Sequence, residues 1–248
     1  MVFSLLTRFP ARAKLAPNPK ALLATVRAEG RVKLLEHEAL LFCESYGLPV
    51  PRFGVARSSA EAVRIAERIG FPVVLKVVSP DILHKSDVGG VVLGVRTPEE
   101  VEEKYSAIIR SVERKAPGAR VYGVLVQEMV GRGLEVIVGA VRDPQFGPVV
   151  MVGVGGVFVE LLRDVSFRVA PVTPVDVEEM LRDLKGYRLF EGYRGEPPRD
   201  KRALVDIVVR VSRLIAEHEE ITEVDLNPVV VFAEGQGAKV VDARFVVR

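Results

Sequence analysis

Tryptophan is absent from this chain of 248 residues, cysteine occurs once, and asparagine is confined to Asn18 and Asn227. A single thiol, Cys43, excludes an intrachain disulfide and any zinc site built from clustered cysteines. It reads as a core or half-buried residue of a helical stretch, in a reducing, cytoplasmic setting. With no Trp, 5 Tyr and 35 basic against 33 acidic residues, there is neither a stacking platform nor a charge excess for nucleic acid. Few amides, with Gln only at 127, 145 and 236, are the composition of a thermophile. No apolar run reaches the roughly 20 residues of a membrane-spanning helix. The longest, Phe146 to Val159, is broken by five Gly or Pro residues, so no membrane partner is expected. Acids are missing before Glu29, and Arg8, Arg12, Lys14, Lys20 and Arg27 make residues 1–30 a basic extension. It superficially resembles an organellar presequence. The plainer expectation is a loosely packed segment broken at Pro17-Asn18-Pro19.

What remains is ample for a core, since 48% of the residues are hydrophobic. Apolar spacing predicts a helix from about Arg31 to Tyr46, stopped by Gly47 and Pro49. A second, capped by Ser58 or Ser59, should run through Ile69. The run Phe71 to Val78 is apolar enough to be a strand covered on both faces. Val91 to Val95 returns as a strand, and Pro98 opens a charged helix to about Arg114. From Val121 the texture changes to three β-rich runs, 121–130, 134–141 and 148–154, joined by short turns as in an antiparallel sheet. Thr173-Pro174 caps a further helix, residues 186–199 form a loop, and a last helix spans about Asp200 to Glu217. Two strands close the chain as a hairpin around Gly235-Gln236. The expected organisation is an α+β fold with a first lobe over 31–120 and a second over 121–248.

Within the buried strand, Lys76 is out of place, because an ammonium in an apolar environment requires an anion. A phosphate is the obvious partner. The loop that follows, Ser79-Pro-Asp-Ile-Leu-His-Lys-Ser-Asp-Val-Gly-Gly90, adds His84, Lys85 and a glycine pair. Gly89-Gly90 would let backbone N–H groups turn toward an anion without a Cβ in the way. Taken singly, each of these is an ordinary loop residue; together they suggest phosphate handling. They do not form a Gly-x-x-x-x-Gly-Lys phosphate loop, since the glycines follow the lysine and precede a strand.

Asp225 and Asn227 lie two apart on a strand and so share a face. If the hairpin turns at Gly235-Gln236, Asp242 falls opposite Val229 on that same face. Such oxygen ligands, completed by water and phosphate, suit Mg²⁺ in a nucleotide site. An Asx turn before Pro228 is the alternative. Exposed backbone from Glu128 through Met129 to Val130 can meet an adenine edge, and the carboxylate of Glu135 can accept ribose hydroxyls.

Taken in order, these segments resemble the β subunit of the ADP-forming acetyl-CoA synthetases, ATP-grasp proteins related to the succinyl-CoA synthetase β subunit. The resemblance runs from about Leu34 to Val247. It rests on Phe71-Pro-Val-Val-Leu-Lys76, the loop from Ser79 to Gly90, Val126-Gln-Glu-Met-Val130, Arg142-Asp-Pro-Gln-Phe-Gly147, Gly153-Val-Gly-Gly156 and Val224-Asp-Leu-Asn-Pro228. It implies an ATP-grasp fold of two α/β lobes with ATP or ADP and Mg²⁺ between them. It further implies that Lys76 binds phosphate, that Glu128, Met129 and Val130 line the adenine pocket, and that Glu135 holds the ribose. Asn227 and Asp242, with Asp225 close by, would bind the metal. A histidine matching His84 would carry phosphate from a phosphohistidine on the α subunit to ADP, assisted by Lys85. No CoA-binding region is among the matched pieces, so a separate CoA-binding α subunit in a hetero-oligomer is implied. Two other readings stay open at this point: another ATP-grasp carboxylate ligase working through an acyl phosphate, and a non-catalytic nucleotide-sensing subunit.

Overall fold

The computed structural model describes residues 18–82, 84–156 and 163–248. Within them two antiparallel sheets are assembled, one of four strands and one of six. Residues 1–17, which hold most of the basic extension, lie outside the described residues.

The first sheet has the order β1 (Phe53–Ala56), β4 (Gly123–Glu128), β2 (Val73–Val78), β3 (Val91–Val95). All six residues of β2 are buried, as its apolar run requires. Strand alternation divides them: Val73, Leu75 and Val77 join Val124 and Val126 in a core closed by the helices α3 (Ser59–Ile69) and α4 (Pro98–Lys115). Val74, Lys76 and Val78 project to the other face. The helix starts follow their caps, Ser58 accepting from the Glu61 amide at 3.2 Å and Thr97 from the Glu100 amide at 3.2 Å.

The second sheet runs β10 (Ala243–Val247), β8 (Ile221–Val231), β5 (Leu134–Asp143), β6 (Gly147–Val154), β7 (Val165–Val169), with β9 (Ala238–Val240) paired to β8. One face packs on α5 (Pro174–Asp183) and α6 (Lys201–Glu217), whose Val208, Val211 and Ile215 meet Val138, Val150 and Val224 in the larger core.

Three expectations need correction. β4 was expected to open the second lobe, yet it inserts between β1 and β2, in register from Val73↔Glu128 to Val78↔Gly123. The change of lobe therefore falls after Glu128 and not at residue 120. The first helix of the supposed first lobe, α2 (Glu36–Ser45), packs through Ala39, Leu40, Phe42 and Cys43 into the core of the second. Its start is later than expected because residues 32–34 run along β10: Lys33 bridges Val246, and the Leu34 amide donates to Phe245 O at 3.2 Å. Finally, residues 19–28 of the basic segment are a helix, α1 (Pro19–Ala28), capped by Asn18 and anchored by buried Leu23 and Val26. The proline that looked like a breaker occupies the first helical position, where its missing N–H costs nothing.

Candidate active site

Two clefts open where the sheets meet, and their linings adjoin at the β8–β10 hairpin. Consecutive residues line one and then the other: Asn227 and Asp242 face the first cleft, Pro228 and Val241 the second.

The second cleft, of about 480 Å³, is walled by Val74, Leu93 and Met129 from the first sheet and by Val230, Pro228 and Val241 from the second. Val130 lies on its rim, and Glu135 projects an exposed carboxylate into it. Arg132, Glu196 and Arg199 complete the lining; apolar walls with polar groups among them suit a flat aromatic ring carrying a hydroxylated sugar. Glu128 does not line it. Its carboxylate is turned away to Lys239 Nζ at 2.7 Å and to the Arg52 amide at 3.1 Å, which ties β4 to β9 across the lobes. Burial resists its ionisation, but Lys239 and Arg52 hold it below the usual carboxylate range. The amides of Glu128 and Met129 are also engaged, with Arg52 O and Pro72 O. Of the expected adenine contacts, the Met129 side chain and Val130 face the slot.

The first cleft, of about 640 Å³, gathers His84, Lys85, Asp225, Asn227 and Asp242 together with Glu36. His84 is exposed on its wall. The glycine pair of the same loop has a different role from the one its sequence suggests. The Gly89 amide donates to Ser86 O at 3.0 Å and the Gly90 amide to Lys85 O at 2.7 Å, so neither is free for a phosphate. A Cβ on Gly90 would sit 2.5 Å from Val77 Cγ1 and 2.9 Å from Lys85 O. Glycine is needed there so that the loop can close on β2 and carry Lys85 inward.

On the opposite wall the hairpin register differs from expectation by two residues. Val229 pairs with Val240 and Leu226 with Ala243, and the Gln236 amide closes on Ala233 O, so the turn is centred on Glu234-Gly235. A shift of two keeps the face, and Asp242 comes to lie directly across from Asn227. Loss of hydration and the charge of Glu36 push the Asp242 carboxyl above its usual range, against the pull of Lys76 and Lys85. Asp225 is likewise raised by desolvation, with Glu223 adding to the shift and Arg244 opposing it. Two such carboxyls flanking a carboxamide are short of positive charge, which a divalent cation would supply. Among the described residues there is no group of three or more His, Cys, Asp or Glu side chains able to hold a metal alone. The donor set thus fits Mg²⁺ that keeps water and phosphate oxygens as its other ligands.

The anion that compensates Lys76 is within the chain. Glu36 Oε1 lies 2.5 Å from Lys76 Nζ, and Glu36 Oε2 contacts Lys85 Nζ. Asp242 Oδ2 is 3.9 Å from Lys76. Burial opposes ionisation of Glu36, but the two lysines outweigh it and hold the carboxyl below its ordinary value. For Lys85 burial favours the neutral amine, and Glu36 and Asp242 overcome that. Sequence reasoning missed Glu36. Its signal was a charged residue inside the apolar pattern Leu34-Leu35-Glu36, the same anomaly that exposed Lys76.

A wider groove of about 1430 Å³ runs along α6, but none of the expected site residues lines it. Its Arg182 and Arg210 are paired with Glu178 and Asp206. No helix among the described residues is long and apolar enough to cross a membrane.

Comparison with known proteins identifies the fold. A family model described as an ATP-grasp domain matches residues 25–247. The β subunit of acetate–CoA ligase [ADP-forming] I from Pyrococcus furiosus is 48% identical over 227 residues, covering 92% of this chain and 97% of that one. Acetate–CoA ligase [ADP-forming] I from Archaeoglobus fulgidus is 54% identical over 209 residues, which are 84% of this chain and 30% of that longer protein. Among solved structures, the dinucleotide-forming acetyl-coenzyme A synthetase 1 of Ca. Korarchaeum cryptofilum, in complex with coenzyme A, Ca-AMPCP and HgCl+, superposes with a TM-score of 0.90 at 52% identity. It covers 93% of this chain and 100% of the matched one. The same protein has also been solved with coenzyme A and Mg-AMPPCP, its phosphohistidine segment pointing towards the nucleotide binding site (TM-score 0.83, 48% identity, the same coverage).

Proposed function

The chain belongs to the ATP-grasp family and, within it, to the β subunits of the ADP-forming acetate–CoA ligases; from that membership we propose a division of labour between its two clefts. The apolar slot takes the nucleoside of ADP or ATP, with Met129 and Val130 against the base and Glu135 accepting ribose hydroxyls. The polar cleft takes the phosphates and is where the phosphoryl group is transferred. A separate CoA-binding α subunit forms the acyl phosphate and becomes phosphorylated on a histidine. The pair then converts acyl-CoA, ADP and phosphate into acid, CoA and ATP.

The observation that carries this reading is the meeting of the two cleft linings at Asn227-Pro228 and Val241-Asp242. A nucleotide with its base in the slot would direct its phosphates across that junction toward Lys76, Lys85 and His84. Asn227, Asp242 and Asp225 would hold Mg²⁺, which supplies charge neutralisation between neighbouring phosphate oxygens. His84 would attack the phosphorus of the partner's phosphohistidine through an imidazole nitrogen. One P–N bond forms as the other breaks; His84 gives up the proton on its other ring nitrogen, and the partner's histidine takes up one proton and leaves neutral. A β-phosphate oxygen of ADP then attacks the same phosphorus, a P–O bond forms as the P–N bond to His84 breaks, and His84 takes back one proton and is released neutral. Lys85 offsets the charge that builds on the equatorial oxygens during both steps.

The test is to incubate the purified chain with the α chain of the same organism, acetyl-CoA, Mg²⁺, ADP and phosphate, and to follow ATP formation. ATP from the pair and from neither chain alone is expected. Nucleotide binding without ATP formation from any acyl-CoA would instead favour the sensing subunit.

A further inference from the structure

Lys76, the residue assigned to the nucleotide phosphate, lines neither cleft. Its side chain is 10% exposed, and the group that reaches the cleft beside it is Glu36, whose two oxygens each take one of the lysines. Glu36 is also one of the points at which the two lobes are tied. It sits on the first turn of α2, whose apolar side is embedded in the second core, whereas Lys76 and Lys85 belong to β2 and its following loop in the first. The positive end of the α2 dipole and two ammonium groups therefore fix a carboxylate at the place where a phosphate must arrive. Asp225 and Asp242 line the same cleft, so the carboxylates there outnumber the ammonium groups of Lys76 and Lys85. Of the other cations that line the cleft, Arg31 is held by Glu38, Arg120 by Asp81 and Arg244 lies 3.8 Å from Glu223, while Lys33 adds an ammonium group on the side of residues 30–35; the groups in contact with Lys76 and Lys85 themselves are Glu36 and Asp242.

We propose that Glu36 is a built-in competitor of the nucleotide phosphate, which keeps Lys76 and Lys85 occupied until a phosphate accompanied by a divalent cation displaces it. The inference rests on the nucleotide reading of the site given above. A bare diphosphate meets three carboxylates and must remove Glu36 from both lysines unaided. A metal-bound diphosphate brings its own positive charge to Asp225, Asn227 and Asp242, lowers the negative potential around Glu36, and can exchange with it at the lysines. Glu36 thereby makes nucleotide binding conditional on the metal and discriminates against free phosphate and other metal-free polyanions. The exchange also loosens one interlobe tie as the nucleotide, which contacts both lobes, replaces it.

Calorimetric titration of ADP into the full chain, with Mg²⁺ and with EDTA, tests the idea on wild type, Glu36→Gln and Glu36→Asp. Wild type should bind ADP far more weakly in EDTA. Glu36→Gln keeps the shape and one acceptor but not the charge, and should tighten metal-free binding by about tenfold or more, collapsing the ratio between the two conditions. Glu36→Asp retains the charge and should retain the metal dependence. An unchanged ratio in a folded Glu36→Gln protein overturns the proposal while leaving the nucleotide site intact. Absence of any ADP binding to wild type with Mg²⁺ overturns the nucleotide reading itself. If Glu36→Gln does not fold, a structure of the wild-type chain with Mg-ADP decides: separation of Glu36 from at least one lysine supports the competitor role, and both ion pairs persisting refutes it.

Discussion

Asn227 and Asp242 face each other across the β8–β10 hairpin, the amide of Asn227 donating to the carbonyl of Asp242 at 3.2 Å. That backbone bond fixes two side-chain oxygens on one wall of the cleft without using either of them. Replacing Asp242 by Asn should therefore preserve the hairpin and remove one anionic ligand. We expect Mg-ADP affinity to fall by about tenfold or more, the scale of losing a charged contact, while ADP binding in EDTA is unchanged or tighter. Calorimetry under both conditions checks this, and equal losses in both would place Asp242 outside the metal site.

His84 is exposed, whereas Lys85 beside it is drawn in by Glu36. A shuttle requires that asymmetry, because the imidazole has to meet a partner's group and the ammonium has to stay by the nucleotide. His84→Ala should leave Mg-ADP binding by the isolated chain within about twofold. ATP formation with the α chain should fall by about a hundredfold or more, the scale on which a positioned reacting side chain acts. Phosphate incorporated into the chain from labelled ATP, labile in acid and stable in base, should vanish in the same variant.

Gly90 is where the loop returns to β2, its carbonyl accepting from the Val77 amide at 2.7 Å. Gly90→Ala forces a methyl group against Val77 and the Lys85 carbonyl, and should cost about 1–3 kcal/mol of unfolding free energy, as overpacking does. Denaturant titration gives the number. The variant should also lose phosphate affinity, since Lys85 moves with the loop, although no backbone donor to the ligand is removed.

The elements legible in the sequence were those with local signals. Ser58 and Thr173 cap their helices, the Val73–Val78 run is buried throughout, and Gly47 ends α2 with a φ of 69°. Periodicity says nothing of which sheet a strand joins, and β4, read as the start of a new lobe, enters the middle of the first. The same limit hid the pairing of Glu36 with Lys76, 40 residues apart in sequence and on elements from different cores. Lys76 advertised the need for an anion; nothing local could show that the chain supplies one itself. Gly89 and Gly90 illustrate the converse error, in which backbone freedom needed for packing looks like freedom needed for a ligand.

Glu135 offers a test that separates recognition of the sugar from general electrostatics. It stands at the second residue of β5, exposed, with its carbonyl accepting from the Gly155 amide at 2.8 Å, so the strand end is pinned while the carboxylate stays at the slot. If it accepts ribose hydroxyls, Glu135→Ala should weaken Mg-ADP binding by about tenfold, the worth of a charge-assisted hydrogen bond. The same variant should bind Mg-2′,3′-dideoxy-ADP nearly as wild type does, because a ligand without hydroxyls has nothing to lose. A carboxylate acting only by repelling the nearby phosphates would give the opposite sign, with Glu135→Ala tightening both nucleotides equally. The double-mutant cycle between Glu135 and the hydroxyls, read by calorimetry at fixed Mg²⁺, distinguishes the two, since only a direct contact produces coupling.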